Sequence, residues 1–152
     1  MRLALFQPEI AGNVGTIIRS CAAFDVPLDI IEPCGFPIGN RGLRRAALDY
    51  GPLARVERRP SFAEFVDAAA IAGHRIVLLT THSPVRLYDF AFRADDILMV
   101  GRESAGAPDD VHAAVQATIR IPMASGVRSM NVVTAAAIAL GEALRQTAAG
   151  PV

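Results

Sequence analysis

Six short strand-like runs alternate with helical patterns along a chain of 152 residues, predicting an α/β fold with a mainly parallel six-stranded sheet flanked by helices. Two further observations support it. The apolar period switches from strand-like runs to 3.6 between them. Three of the runs also end in glycine-bearing loops, and in such sheets ligands sit beyond the carboxyl ends of strands.

The elements follow in order. Leu3–Phe6 reads as the first strand, and Gln7-Pro-Glu-Ile-Ala-Gly-Asn-Val-Gly15 as the loop after it. Val14–Phe24 has apolar residues at Val14, Ile17, Ile18, Cys21 and Ala22, the spacing of a helix. Leu28–Ile31 is the second strand, Asn40–Leu48 a short basic helix and Ala54–Arg58 the third strand. Ser61 followed by Glu64 forms a capping-box pattern, and Gly73 ends the helix that it starts. Ile76–Thr80 and Ile97–Val100 are strands, the latter running into Gly101-Arg-Glu-Ser-Ala-Gly-Ala-Pro108. A short helix spans Pro108–Val115, a sixth strand Thr118–Ile121 stops at Pro122, and Asn131–Thr147 is the longest helix. No linker, repeat or low-complexity segment interrupts them, so residues 1–152 are expected to form one domain.

Composition narrows the function. With 52% hydrophobic residues and a mean hydropathy of +0.34, the chain is not disordered, and it is apolar enough to expect a face buried between copies. No apolar run reaches the length of a membrane span, and Met1-Arg-Leu-Ala-Leu-Phe is too short for a secretory signal. Cys21 and Cys34 fit no metal or redox spacing and read as reduced thiols of a cytoplasmic protein. His74, His82 and His112 are too scattered for a metal site, so no metal is expected. Formal charge is zero, giving no overall basic field, yet all 15 basic residues are arginine and cluster at Arg41, Arg44, Arg45 and at Arg55, Arg58, Arg59.

The most informative stretch is Ile121-Pro-Met-Ala-Ser-Gly-Val-Arg-Ser-Met-Asn-Val132. Strand, small-residue loop and helix N-terminus together set free backbone N–H groups beside a pocket. With the loops at Gln7–Gly15 and Gly101–Pro108, it predicts one composite site. Neither G-x-G-x-x-G nor the Lys-Ser/Thr of a phosphate-binding loop is present, which disfavours a dinucleotide or NTP site. Asn13, Ser129 and Asn131 are read either as helix caps or as ligand contacts. Glu103 is expected to hold the Gly101–Gly106 turn, and Gly101 to leave space where backbone meets a ligand. Arg19 lies one turn after Gly15 and leans back towards the Asn13–Gly15 loop; it is either a surface arginine or part of the site. Val133, Ala136, Ala137, Leu140 and Leu144 form a core or dimer seam.

Five marks occur in order: P-E-I-x-x-N-x-G-x-I-I-R (Pro8–Arg19), I-I-E-P-x-G-F (Ile30–Phe36), L-R-R-A-x-L-D-Y (Leu43–Tyr50), G-x-E-S-x-G-x-P (Gly101–Pro108) and I-P-M-x-x-x-x-R-S-M-N (Ile121–Asn131). Over about residues 2–146 the chain resembles the SPOUT class of methyltransferases, and within it the TrmL-type tRNA 2′-O-methyltransferases. The resemblance implies the α/β-knot fold, with a C-terminal trefoil knot, a homodimer, and S-adenosylmethionine held in the knot and released as S-adenosylhomocysteine. It puts the methyl donor on Leu79, Gly101, Ile121, Ser129 and Met130. It makes Arg19, Asn13 and Asn131 the catalytic candidates, with Arg19 gripping phosphate or stabilising developing alkoxide, since an arginine stays charged. Arg41, Arg44, Arg45 and Arg128 are candidate RNA contacts. The implied substrate is the wobble nucleotide, position 34, in the anticodon stem-loop of leucine tRNAs. Two alternatives stay open: another tRNA or ribosomal RNA position, and a catalytically inactive RNA-binding dimer. The chain departs from the family pattern at Val133-Thr134 (Ser-Asn), at Gly141 (tyrosine) and at His82 (lysine).

Overall fold

The structure, a computed structural model, describes residues 1–37 and 53–147. Six strands form one sheet: β1 (Arg2–Phe6), β2 (Leu28–Ile31), β3 (Val56–Arg59), β4 (Ile76–Leu79), β5 (Ile97–Val100) and β6 (Ala117–Ile119). Their order is β3-β2-β1-β5-β4-β6, and every neighbouring pair is parallel. The chain starts at the centre, winds out through β2 to β3, then crosses to build the other half. The order reverses between β1 and β5. Connections leave in opposite directions there, opening a crevice at the carboxyl ends of the two strands.

Among the described residues four α-helices cover the sheet: α1 (Ala11–Ala23), α2 (Phe62–Ile71), α3 (Asp109–Ala114) and α4 (Val132–Thr147). β2 and β5 are buried along their whole length, as strands covered on both faces must be. On one face Val14, Ile17 and Cys21 of α1 pack with Ala136, Ala139, Leu140 and Ala143 of α4 over Leu3, Leu5 and Leu98. On the other, Phe65 and Ala69 of α2 and Val111 of α3 cover Ala4, Phe6 and Met99. Small residues on α4 allow close packing against α1 and the sheet. Val133 and Leu144 are only partly buried and Ala137 is exposed, whereas Ala139 and Ala143, absent from the expected stripe, are buried.

Among the described residues two carboxylates are fully buried, Asp96, paired with Arg75 at 2.7 Å, and Asp29 on β2. Asp29 is 0% exposed and accepts from Arg2 Nε at 2.9 Å and Arg59 Nε at 2.7 Å, with Glu57 bridging the same two arginines. Both carboxylate oxygens are matched by guanidinium, so the charge is tolerated. Removing both arginines would leave an uncompensated buried charge, a loss of about 3–5 kcal/mol.

Local signals explain the boundaries. Ser61 accepts from the Glu64 amide at 3.2 Å. Gly73, at φ +72°, closes α2 in a Schellman turn with His74 N donating to Ala69 O at 2.9 Å. Several limits differ from the periodicity. β3 is shifted towards Arg59, β4 stops at Leu79, and β6 spans only Ala117–Ile119. Helix α1 begins at Ala11, so Asn13 and Gly15 lie inside it and not in a loop. Glycine in the first turns masked a start that depends on tertiary bonds. The short basic helix expected at Asn40–Leu48 lies outside the described residues.

Candidate functional site

At the crevice, the β5 loop and the start of α1 hold each other through two carboxylates. Glu103 accepts from the amides of Glu9 at 2.8 Å and Ile10 at 3.3 Å, and from Asn13 Nδ2 at 3.2 Å. Glu9 reciprocates, accepting from the Ser104 amide at 2.8 Å and the Ser104 hydroxyl at 2.7 Å. Ile10, the N-cap of α1, supplies no side-chain bond, so the carboxylate of Glu103 stands at this positive helix end instead. The Ser104 bonds hold the Glu9 carboxyl below its ordinary value. Glu103 was expected to hold its own turn. It accepts backbone amides as expected, but from the loop after β1, and thereby ties two loops together.

The turn itself is closed by backbone. Arg102 and Gly106 exchange two N–H to O bonds, both 3.0 Å. Gly106 sits at φ +66°, where a side chain is disfavoured. A Cβ on Gly101 would lie 2.5 Å from the Gly106 carbonyl carbon. Glycine is therefore required by the returning loop. The expectation that this space belongs to a ligand is corrected: the chain's own backbone fills it. Arg102 stacks over the Phe6 ring, 5.2 Å from its centroid, and donates to Gln7.

Beyond this turn opens a cavity of about 590 Å³, in the range that receives a drug-sized ligand. Leu79, Gly101, Ile121, Ser129 and Met130 all line it, and so do Asn13 and Asn131. The three glycine-bearing loops therefore meet at one site. Its walls mix apolar Val100, Met123, Val132 and Ala135 with the hydroxyls of Thr80 and Thr81. Thr80 and Thr81 directly follow β4, at the carboxyl end of a strand, where ligands are expected in such a sheet. His82 and His112 also line the cavity. Asn131 caps α4, accepting from Val133 N at 2.8 Å and Thr134 N at 3.4 Å. Capping and a place in the cavity wall thus coexist. Asn13 is not a cap; its amide is tied to Glu103.

Arg19 is exposed on α1 and does not line the cavity, and its expected reach over an Asn13–Gly15 loop is overtaken by the helical state of those residues. Arg128 is exposed on the loop before α4. Arg41, Arg44 and Arg45 lie outside the described residues. The second arginine cluster is neutralised: Arg55 pairs with Asp25 at 2.9 Å, Arg58 with Glu32 at 2.7 Å, and Arg59 with Asp29 and Glu57. Burial pushes both thiols up, Cys21 to about 12 and Cys34 to about 11.

With this geometry in place, comparison with known proteins is specific. The profile of the SpoU rRNA Methylase family matches residues 1–141. The chain is 48% identical to a tRNA (cytidine(34)-2′-O)-methyltransferase of Ancylobacter novellus, over 97% of this chain and 93% of that one. It is 49% identical to the protein of the same name from Beijerinckia indica, over 97% and 92%. A solved structure that concerns 2-OH methylation of C/U34 on tRNA superposes with a TM-score of 0.91 at 40% identity, covering 95% of this chain and 94% of that one. The SpoU methyltransferase AviRb of Streptomyces viridochromogenes, in complex with AdoMet, gives a TM-score of 0.86 at 28% identity over 96% of this chain and 60% of that one.

Proposed function

The chain belongs to the SpoU rRNA methylase family, and we propose on that premise that it methylates the ribose 2′-hydroxyl of nucleotide 34 in tRNA, with S-adenosylmethionine as donor. The observation that carries the reading is the strand-end cavity, whose wall includes all five residues to which the resemblance assigns the donor. The wall fits that molecule: Leu79, Ile121 and Met130 offer an apolar slot for an adenine ring, and Thr80 and Ser129 offer polar edges. When bound, S-adenosylmethionine supplies a methyl group activated by sulfonium and leaves as S-adenosylhomocysteine.

The protein's task is mainly positioning. The Glu9–Ser104 and Glu103–Glu9 bonds fix the wall formed by Gly101–Ala107 against α1. Asn131 fixes the start of α4 and Asn13 the position of Glu103, so both asparagines stay among the catalytic candidates. With the donor held by that wall, these residues would orient the ribose 2′-oxygen towards the donated methyl group, and the hydroxyl proton would pass to solvent. Arg19 is assigned to the charge that develops on that oxygen and on the adjacent phosphate. Arg19 follows Asn13 by six positions on α1, a rise of about 9 Å, and long helical side chains as a class project back towards the helix N-terminus, here the cavity end.

The proposal extends to a homodimer, supported by exposed Ala137 on the small-residue helix α4, and to the knotted path of the C-terminal part. Bonds from Arg120 N to Val85 O at 2.9 Å and from Leu87 N to Arg120 O at 2.8 Å support that path, holding the last segment beside the loop after β4. It takes residues 1–152 as one domain, the cytoplasm as its site, leucine isoacceptors as substrates, and Arg41, Arg44, Arg45 and Arg128 as RNA contacts. Mapping ribose methylation in tRNA from a deletion strain tests it: loss at position 34 of leucine tRNAs is expected. Unchanged methylation there, or loss elsewhere alone, refutes the assignment.

A further inference from the structure

We propose that Arg86, Tyr88 and Arg120 form a ledge beside the cavity that receives the RNA strand flanking the methylated nucleotide. The inference rests on the tRNA reading above and names a contact surface for it. Arg86 and Arg120 are partners in an isolated parallel bridge, which sets their side chains on one face. Like charges placed so are destabilising unless an anion joins them. One carboxylate is at hand, Asp89, which accepts from Arg86 Nε at 2.6 Å; among the described residues Arg120 has no carboxylate partner. The pair therefore retains one positive charge, which a phosphodiester would balance.

Tyr88 lies on a 3₁₀ turn, Leu87–Asp89, and is 60% exposed, while its neighbour Leu87 is fully buried and anchors the turn. Arg86 directly precedes this turn, and the Leu87 amide donates to the Arg120 carbonyl at 2.8 Å, so the exposed ring shares one stretch of backbone with two arginines. A ring and cations on one surface are the combination that binds single-stranded nucleic acid, phosphate on the cations and base on the ring. Its location is also informative. Arg120 adjoins Ile121 and Arg86 follows His82 by four residues, and both Ile121 and His82 line the cavity. Four extended residues span at most about 14 Å, a few nucleotides of backbone. A strand with its ribose at the cavity would pass over the ledge.

The test uses the full chain and unmodified tRNA transcript, with variants Tyr88→Ala, Arg120→Gln and Arg120→Lys. Tyr88→Ala is expected to weaken tRNA binding about tenfold. Arg120→Gln should weaken it and lower the salt slope by about 0.7, whereas Arg120→Lys should keep the slope, because one released counterion follows the charge. Affinity for S-adenosylmethionine should be unchanged in all three, which separates these effects from misfolding. Unchanged tRNA affinity and slope in Tyr88→Ala and Arg120→Gln overturn the ledge and leave the proposed function standing. A change of sedimentation coefficient in place of tRNA affinity also overturns it, assigning the face to a second copy. Wild-type protein that neither binds nor methylates tRNA would instead overturn the reading on which the ledge rests.

Discussion

Replacing Gly101 with alanine adds one methyl group at the point where the β5 loop returns on itself. That carbon would lie 2.5 Å from Gly106 C, 2.8 Å from Ala107 N and 2.9 Å from Gly106 Cα, all backbone atoms. To regain ordinary contact the returning strand must retreat by about 1 Å. Doing so stretches the two 3.0 Å bonds between Arg102 and Gly106 and carries Glu103 and Ser104 away from Glu9. Overpacking of this kind costs roughly 1–3 kcal/mol. For a chain of this size that lowers Tm by roughly 3–10 °C. The cavity wall moves with the loop, so affinity for S-adenosylmethionine should fall tenfold or more, about 1.4 kcal/mol of binding. Thermal unfolding and calorimetric titration measure the two effects. Gly141→Ala is the control: nothing lies within 4 Å of its would-be Cβ, and within α4 the change should stabilise by about 0.5–1 kcal/mol. A Gly101→Ala protein that melts within about 1 °C of wild type and binds donor equally well would refute the reasoning.

Arg19→Ala should leave donor affinity near wild type while lowering methyl transfer by about 100-fold or more, as followed with tritiated methyl on tRNA; equal activity removes Arg19 from the mechanism. Ala137→Glu should shift the sedimenting species towards the chain's own 16.1 kDa without unfolding it, because Ala137 is exposed; a mass unaltered by the change, or one of 16.1 kDa for the wild type, counts against the α4 seam. Glu142 is held at about 2 by Arg145 and Gln146, below its ordinary 4.5. A depressed folded-state pKa means that the unfolded chain binds more protons between those values, so the contribution is present above 4.5 and lost as pH falls towards 2. Melting curves across that window should show Glu142→Gln with a shallower acid slope than wild type, and identical slopes would contradict the pairing.

Sequence reasoning reached the sheet because its strands are short apolar runs and its helices carry a 3.6 period, both local signals. It reached the meeting of three loops for a similar reason, since strand ends in a parallel sheet share one edge. It missed the start of α1 at Ala11, because the residues that satisfy that helix end, Glu103 above all, lie about ninety positions downstream. The role of Gly101 was misread likewise: glycine marks close approach, but only coordinates show that the approaching atoms are Gly106 and Ala107. In sequence Arg55, Arg58 and Arg59 read only as a basic cluster. In space its charge is taken up by Asp25, Asp29, Glu32 and Glu57, three of which come from other strands or loops.

The mutual hold of Glu9 and Glu103 joins residues 90 to 95 positions apart. No nascent or half-folded chain can assemble the wall it fixes, because both halves of the sheet must be in place first. Contacts of such separation are closed late and at the full cost of loop closure. Occupancy of the cavity and completion of the fold are therefore linked equilibria. A donor at 100 times its Kd would add about 2.7 kcal/mol to global stability, a sizeable share of what a small protein has. Cells that run low on methyl donor would then lose this protein's resistance to unfolding together with its turnover.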